Sequence, residues 1–470
     1  MSKKGRLTTL LIIALLLAGL FIKAYYINYT ETWERQHDVI SFGAEEGHAA
    51  YIEYLLNNRQ LPDFDPRTKW GFFQPPLHHI ISAFTIYVSD LAGAGQKRSQ
   101  ENTQIPTYLY MVLLTVLSSV YVFLKVKGSS KLSYKNNKDK IYTLGLVCSV
   151  SVICLHPMFI FLSGSINNDA LALVLSMLSL LIAAEWYDNP NIMLTIMLAL
   201  IIGLSMVAKL TGGLTAVPIG ILMFMKMFGF AGGIRSDGHT TILIKDRVKY
   251  FAKNYLAKAL LFSVIVFPLG LSYSIYNKVR WGIPFNYIPP VGEQFPEGIS
   301  IKNRLFDVAT NSIYTNMISR GDSFDEYNVP LMIIKTSLFG EYSFKDVSRW
   351  MKPLGTTLFV SSIILIVLAL VGTIYMVFSK NSKMSAKWKI LLFGTYATYM
   401  VAYLYFAFSN NNFSAEDFRY SAICIVCEGV FLGLFTDEIK NEAVKKCITV
   451  VSLCFAASSF LVFALLGIRS

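Results

Sequence analysis

The sequence predicts an all-α, polytopic membrane protein with about eleven transmembrane helices and two large extracytoplasmic loops carrying surface helices. Three observations carry this reading. Apolar runs of roughly 20 residues recur along the chain, the length needed to cross a bilayer core. Only 15% of the residues are charged, against about 25% in soluble domains. Lysine and arginine exceed aspartate and glutamate by 12 and gather in short loops between the runs. In that placement the excess is a topology signal, and it gives no support to nucleic-acid binding.

Lys3, Lys4 and Arg6 precede the first apolar run (8–26) and hold its start in the cytoplasm. No small-residue cleavage site follows, so the run is a retained span and not a removed signal peptide. The polar stretch 27–105 forms the first extracytoplasmic loop. Within it Ala50, Tyr51, Tyr54 and Leu55 recur at helical spacing, which predicts a short amphipathic helix on the membrane surface. The stretch 77–91 is also apolar but carries His78, His79, Ser82, Thr85, Ser89 and Asp90. Were it a span, the lysine-rich loop 125–140 would face outward, against the positive-inside bias. It reads instead as a second surface helix, with Pro76 at its first turn.

The next spans are expected at 106–124, 142–162, 170–186, 192–208, 214–228 and 259–275. A second large extracytoplasmic loop, 277–352, follows. Spans at 354–378, 390–408, 420–435 and 447–466 complete the count, in a single membrane domain over 1–470. With this arrangement every basic loop lands on the cytoplasmic side. The six cysteines all lie in apolar runs, where they act as small apolar residues; Cys424 and Cys427 form a C-x-x-C with no matching ligand pair.

Charged groups at a membrane are costly and mark either function or a paired structural site. Four polar groups fall at the outer face in this topology. The first is the loop with His37, Asp38, Glu45, Glu46 and His48, where a carboxylate can take a proton from an attacking hydroxyl. Glu45 and Glu46 can equally sit at a helix N-terminus, where negative charge is favoured. The second is Asn167-Asn168-Asp169, in a loop too short to be a linker; Asp169 is also an N-cap candidate. The third is Lys209, which can snorkel to lipid headgroups or hold a phosphate, with Gly212 and Gly213 allowing close approach. The fourth is Glu416-Asp417-Phe418-Arg419-Tyr420, whose arginine can anchor the interface or grip a phosphate bidentately. Glu341, in Phe339-Gly340-Glu341-Tyr342, is a loop candidate of less weight.

Two further features join these: the aromatic-x-Pro-Pro-Leu run Phe73-Gln74-Pro75-Pro76-Leu77, and His156-Pro157 ahead of the Ser-Gly-Ser-Ile-Asn-Asn-Asp loop. Their order resembles the polytopic glycosyltransferases of the GT-C superfamily, in its bacterial protein-mannosyltransferase-like and aminoarabinose-transferase-like branch. The likeness is clearest over the first half of the chain. It implies a GT-C fold in the plasma membrane and transfer of a sugar from a polyprenyl-phosphate carrier to an acceptor on the extracytoplasmic face. That acceptor is a protein, a glycolipid or a cell-wall polymer. It implies Asp38 as base, with Glu46 the rival by spacing, and Lys209, Arg419, Asn168 and Asp169 around the donor phosphate. His37, His48, Gln74, His78 and Glu341 fall to the acceptor or loop side of such a site. Family members often carry lysine or histidine where Gln74 stands, which shifts phosphate contact onto Lys209 and Arg419.

The four histidines of the first loop leave room for a divalent metal (Mg or Mn), but none shows a spacing such as H-E-x-x-H, and the reading favours none. No P-loop, G-x-S-x-G or dinucleotide fingerprint sits in a suitable context. The alternative is a transporter or flippase of a lipid-linked sugar, which calls for polar residues at span midpoints in broken helices. Here they cluster at span ends, Glu428 apart.

Overall fold

Backbone N–H and C=O groups find no water in hydrocarbon, so a lipid-spanning chain must satisfy them within its own helices. A computed structural model describes residues 3–34, 41–129, 143–230, 244–285, 287–289, 295–307, 327–340, 348–382 and 384–468, and their regular elements are all helices. Helix α1 (Lys3–Tyr29) is followed by two helices of the first loop, α2 (Gly47–Asn58) and α3 (Leu77–Leu91). The short α4 (Gln96–Glu101) leads to α5 (Gln104–Val116), which continues through a π turn over Leu117–Val122 into α6 (Phe123–Ser129). Then come α7 (Leu144–Cys154), α8 (Pro157–Phe161), α9 (Asp169–Asp188), α10 (Ile192–Ala208) and α11 (Ala216–Met227).

Helix α12 (Ile244–Asn254) meets α13 (Leu256–Gly270) at a 67° bend, and α14 (Ser272–Trp281) ends on Gly282 in the left-handed region. The second loop contributes α15 (Ile301–Phe306) and α16 (Val329–Phe339). The long α17 (Met351–Phe378), α18 (Ala386–Trp388) with α19 (Gly394–Ser409), α20 (Ile423–Glu438) and α21 (Glu442–Gly467) close the chain. In the bundle α7 packs on α20 and α21, α17 packs on the same two, and α10 packs between α9 and α13.

Among the described residues seven helices are long and apolar enough to cross a membrane, and nine if each of two bent pairs is one span. This is a multi-pass membrane protein. The eleven expected spans also include α10, of 17 residues, and the stretch 142–162, which the structure breaks. Helices α2 and α3, of 12 and 15 residues, lie against each other.

The break at 142–162 corrects the expectation of a continuous span. Pro157 has no N–H to give and its ring crowds the preceding turn, so α7 stops at Cys154. Carbonyls are thereby freed, and two of them are taken. The Lys23 ammonium of α1 donates to Cys154 O at 2.6 Å and reaches Gly19 O at 3.3 Å. Ser459 of α21 donates to Leu155 O at 2.6 Å, while the His156 ring caps α8 by accepting from Met158 N. The chain beyond α8 is thus set against α5, with Thr107 donating to Ser163 O at 2.9 Å. A Cβ on Gly164 would lie 2.9 Å from the Tyr26 ring and from the Gln104 side chain, so the loop needs glycine there.

The two ends of the bundle differ in chemistry. Helix α9, of 20 residues, separates Asp169 from Asp188 by about 30 Å. At the Asp188 end lie the pairs Lys387–Asp188 and Lys127–Asp437 at 2.5 Å and Lys125–Glu185 at 2.6 Å. At the Asp169 end lie the polar groups singled out from the sequence. Four cysteines are buried, whereas Cys447 and Cys454 are exposed on α21, and all six are free.

Helices α7 and α20 approach through Gly145 and Gly433: a Cβ on Gly433 would come 2.5 Å from Gly145 O and 2.7 Å from the Phe123 ring. Overpacking of this kind costs about 1–3 kcal/mol. Gly433→Leu is expected to lower the thermal unfolding midpoint in detergent clearly below that of the parent, and an unchanged midpoint would contradict this helix contact.

Candidate functional site

The loop after α8 is held in place from below by the first-loop helices. His78 of α3 has its Nε2 2.7 Å from Ile166 O. Asn167 Oδ1 accepts from Asp169 N at 3.1 Å, and Asn168 Nδ2 donates to Gln74 Oε1 at 3.1 Å and to Ala208 O at 2.8 Å. Gln74 therefore touches this loop, and Asn168 ties the Pro-Pro segment to the end of α10. Asn168, not Asp169, stands at the N-cap of α9, and its side chain makes no capping bond. That frees the Asp169 carboxylate for another partner.

The partner is Lys209. Its ammonium donates to Asp169 Oδ1 at 2.5 Å, and the Arg419 guanidinium Nε stands 3.9 Å from Oδ2 of the same carboxylate. Asp417 faces Arg419 at 3.3 Å and also accepts from its backbone N–H at 2.8 Å. The Tyr420 ring lies beside both cations, 5.0 Å from Lys209 Nζ and 5.1 Å from Arg419 Cζ, at cation–π range. Lysine here does not snorkel to solvent. Two cations and two carboxylates, drawn from three separate parts of the chain, form one nearly buried, charge-balanced cluster.

The segment bearing Arg419 is fixed from several sides. Arg304 of α15, fully buried, donates to Glu416 Oε1 at 2.8 Å and to Ala407 O at 2.7 Å, with its guanidinium over the Phe295 and Phe408 rings. Tyr403 donates to Glu416 O at 2.7 Å, Phe418 N donates to Thr336 Oγ1 at 3.0 Å, and Ser421 donates to Tyr399 O at 3.0 Å. Arg304 carries no motif, and the buried Lys335 of α16 is equally unmarked. The one signal for either is a cation in a loop rich in aromatics.

Behind the cluster sit three buried histidines. His48 Nδ1 and His79 Nε2 are 2.7 Å apart, with the rings stacked at 5.0 Å and the Tyr51 ring 4.5 Å from His79. Burial, then the neighbouring His78 and the charges of Arg419 and Lys209, holds the His48 imidazole well below its usual range. Burial does the same to His79. It takes His78 down to about 4, although the hydrogen bond to Ile166 and the Asp169 charge act the other way. All three are neutral near pH 7.

Three predicted positions do not enter this picture: His37, Asp38 and Glu341 lie outside the described residues. Glu46 is at the N-cap of α2, exposed, with no capping bond from its side chain, and is not part of the cluster. Among the described residues no group of three or more His, Cys, Asp or Glu side chains is gathered to hold a metal.

One solved structure shows what this arrangement of helices is similar to. The crystal structure of ArnT from Cupriavidus metallidurans, bound to undecaprenyl phosphate, matches with a TM-score of 0.51 over 100% of this chain and 78% of that one. The fold is GT-C-like. Sequence identity is 12%, so the likeness concerns the fold and assigns no residue a role. No protein-family model matches the sequence, and neither does any curated protein.

The neutral histidines tie stability to pH. In the unfolded chain they take up protons below about 6.5, whereas the folded state refuses them until pH nears 4 for His78. Their contribution is therefore complete above about pH 6.5 and is lost as pH falls towards 4. Thermal midpoints in detergent should fall across that window, and His78→Gln should flatten the fall. An equal slope in parent and variant would remove His78 from the effect.

Proposed function

We propose that this chain is a membrane glycosyltransferase that moves a sugar from a polyprenyl-phosphate carrier to an acceptor on the extracytoplasmic face. The observation that carries the reading is the meeting of Lys209 and Arg419 around Asp169 at one end of the bundle. The fold is shared with ArnT, whose crystal structure holds undecaprenyl phosphate. Glycosyl transfer from such a donor requires fixed positive charge where the phosphate departs, in a site of low dielectric. Both cations are anchored, and Tyr420 offers a flat face beside them.

In this scheme an acceptor hydroxyl attacks the anomeric carbon. Its proton passes to a carboxylate, and the carbon–oxygen bond to the carrier breaks with its electron pair leaving on the phosphate. Lys209 and Arg419 stabilise that charge. Asp169 and Asp417 orient the two cations before the donor arrives. Asn168 and Gln74 line the same wall. Asp38 is assigned as base from its sequence position, with Glu46 as rival. The positive-inside bias supports a cytoplasmic lysine-rich end and an extracytoplasmic cluster.

The transporter reading gains support from the break between α7 and α8. Its freed carbonyls, however, are bonded by Lys23 and Ser459 and do not line a path.

The test is transfer of labelled sugar from a polyprenyl-phosphate donor to envelope acceptors by the purified protein in membranes. Lys209→Met and Arg419→Met should each lower kcat/KM by roughly 10²–10³-fold while folding is retained. Undiminished transfer in both variants would refute the phosphate role. Loss in Asp38→Asn with activity kept in Glu46→Gln assigns the base to Asp38, and the converse assigns it to Glu46.

A further inference from the structure

The bundle end opposite the cluster holds a second built feature. A cleft of about 450 Å³ opens between the C-terminal turns of α6 and α9 and the start of α18, lined by Tyr121, Lys125, Glu185, Asp188, Lys387 and Trp388. Two ion pairs stand in it: Lys125 donates to Glu185 at 2.6 Å and Lys387 donates to Asp188 at 2.5 Å. Both carboxylates are at least half exposed, so each keeps an open side. The two lysines also lie against the two aromatic rings, Lys125 over Tyr121 at 5.5 Å and Lys387 over Trp388 at 5.7 Å.

We propose that this cleft binds the headgroup of a zwitterionic amino-phospholipid, one phosphate and one primary amine, from the leaflet at that end of the protein. Position supports a lipid: the cleft lies where membrane helices end, about 30 Å along α9 from Asp169, with the exposed Tyr121 at the level where tyrosine favours the bilayer interface. Charge decides the headgroup. The four ionisable groups among its described lining residues sum to zero, two plus and two minus. A headgroup with phosphate alone would bring its charge against Glu185 and Asp188, whereas a zwitterion meets lysines with phosphate and carboxylates with amine. The Lys125–Glu185 pair is exposed on both sides and holds weakly, so exchanging it for the headgroup costs little. A quaternary ammonium is recognised by bare aromatic faces, and here lysines already cover both rings. A primary amine can instead donate hydrogen bonds to the carboxylates.

The experiment is native mass spectrometry of the full-length protein released from nanodiscs containing equal phosphatidylethanolamine, phosphatidylcholine and phosphatidylglycerol. Phosphatidylethanolamine should be retained roughly five- to tenfold over the other two, as expected of one or two charge-assisted hydrogen bonds. Glu185→Gln with Asp188→Asn should abolish its preference over phosphatidylcholine. Lys125→Gln with Lys387→Gln should reduce retention of both zwitterions, with the melting midpoint showing each variant folded. Preferential retention of phosphatidylglycerol, equal retention of all three lipids, or a preference that survives the carboxylate variants would each overturn the proposal. None of these outcomes bears on sugar transfer at the other end.

Discussion

A carbonyl in hydrocarbon has no water to turn to, and the break after Cys154 is where this chain meets that constraint. Proline at 157 favours the break, and Lys23 makes it tolerable by donating to the freed Cys154 O. A lysine buried at 1% exposure inside a span is costly in isolation. Here its charge sits against the carbonyl end of α7, where the helix dipole is negative. Because α7 stops there, α8 and the loop after it swing to meet the first-loop helices. The position of Asp169 follows from that turn.

The cluster around Asp169 has a second property that follows from burial. Unpaired cations in such a place would be expelled or neutralised, so two lysine- or arginine-type charges need two carboxylates to stay. Asp169 and Asp417 supply them. The histidines behind answer burial differently: they shed their protons. Positive charge is thus confined to the front of the site, facing Tyr420, with neutral imidazoles filling the back.

Much of this is legible in the sequence, and the rest fails for physical reasons. Apolar run length locates α1, α9, α17 and α21 because hydrocarbon thickness fixes helix length. The order of Asp169, Lys209 and Arg419 at span ends is visible too, since charges in an apolar chain stand out. Their pairing is not, because it depends on how α9, α10 and the 413–421 segment pack. The stretch 142–162 reads as continuous by hydropathy, which counts side chains and is blind to the missing N–H of Pro157. Arg304 and Glu416 are hidden for another reason: a buried pair gathered from positions 112 residues apart leaves no local pattern.

Asp169 begins α9 and Lys209 follows α10, so one helical hairpin carries both halves of the ion pair. The register between them is set by the turn at 189–191, where Asn191 caps α10 by accepting from Leu194 N. Each residue added to or removed from either helix rotates its far end by about 100°. A one-residue slip in that turn, a whole bilayer away, would aim the ammonium off its carboxylate. The distant turn therefore acts as a gauge for the charge pair, and chain length there is under as tight a geometric demand as any side chain in the cluster.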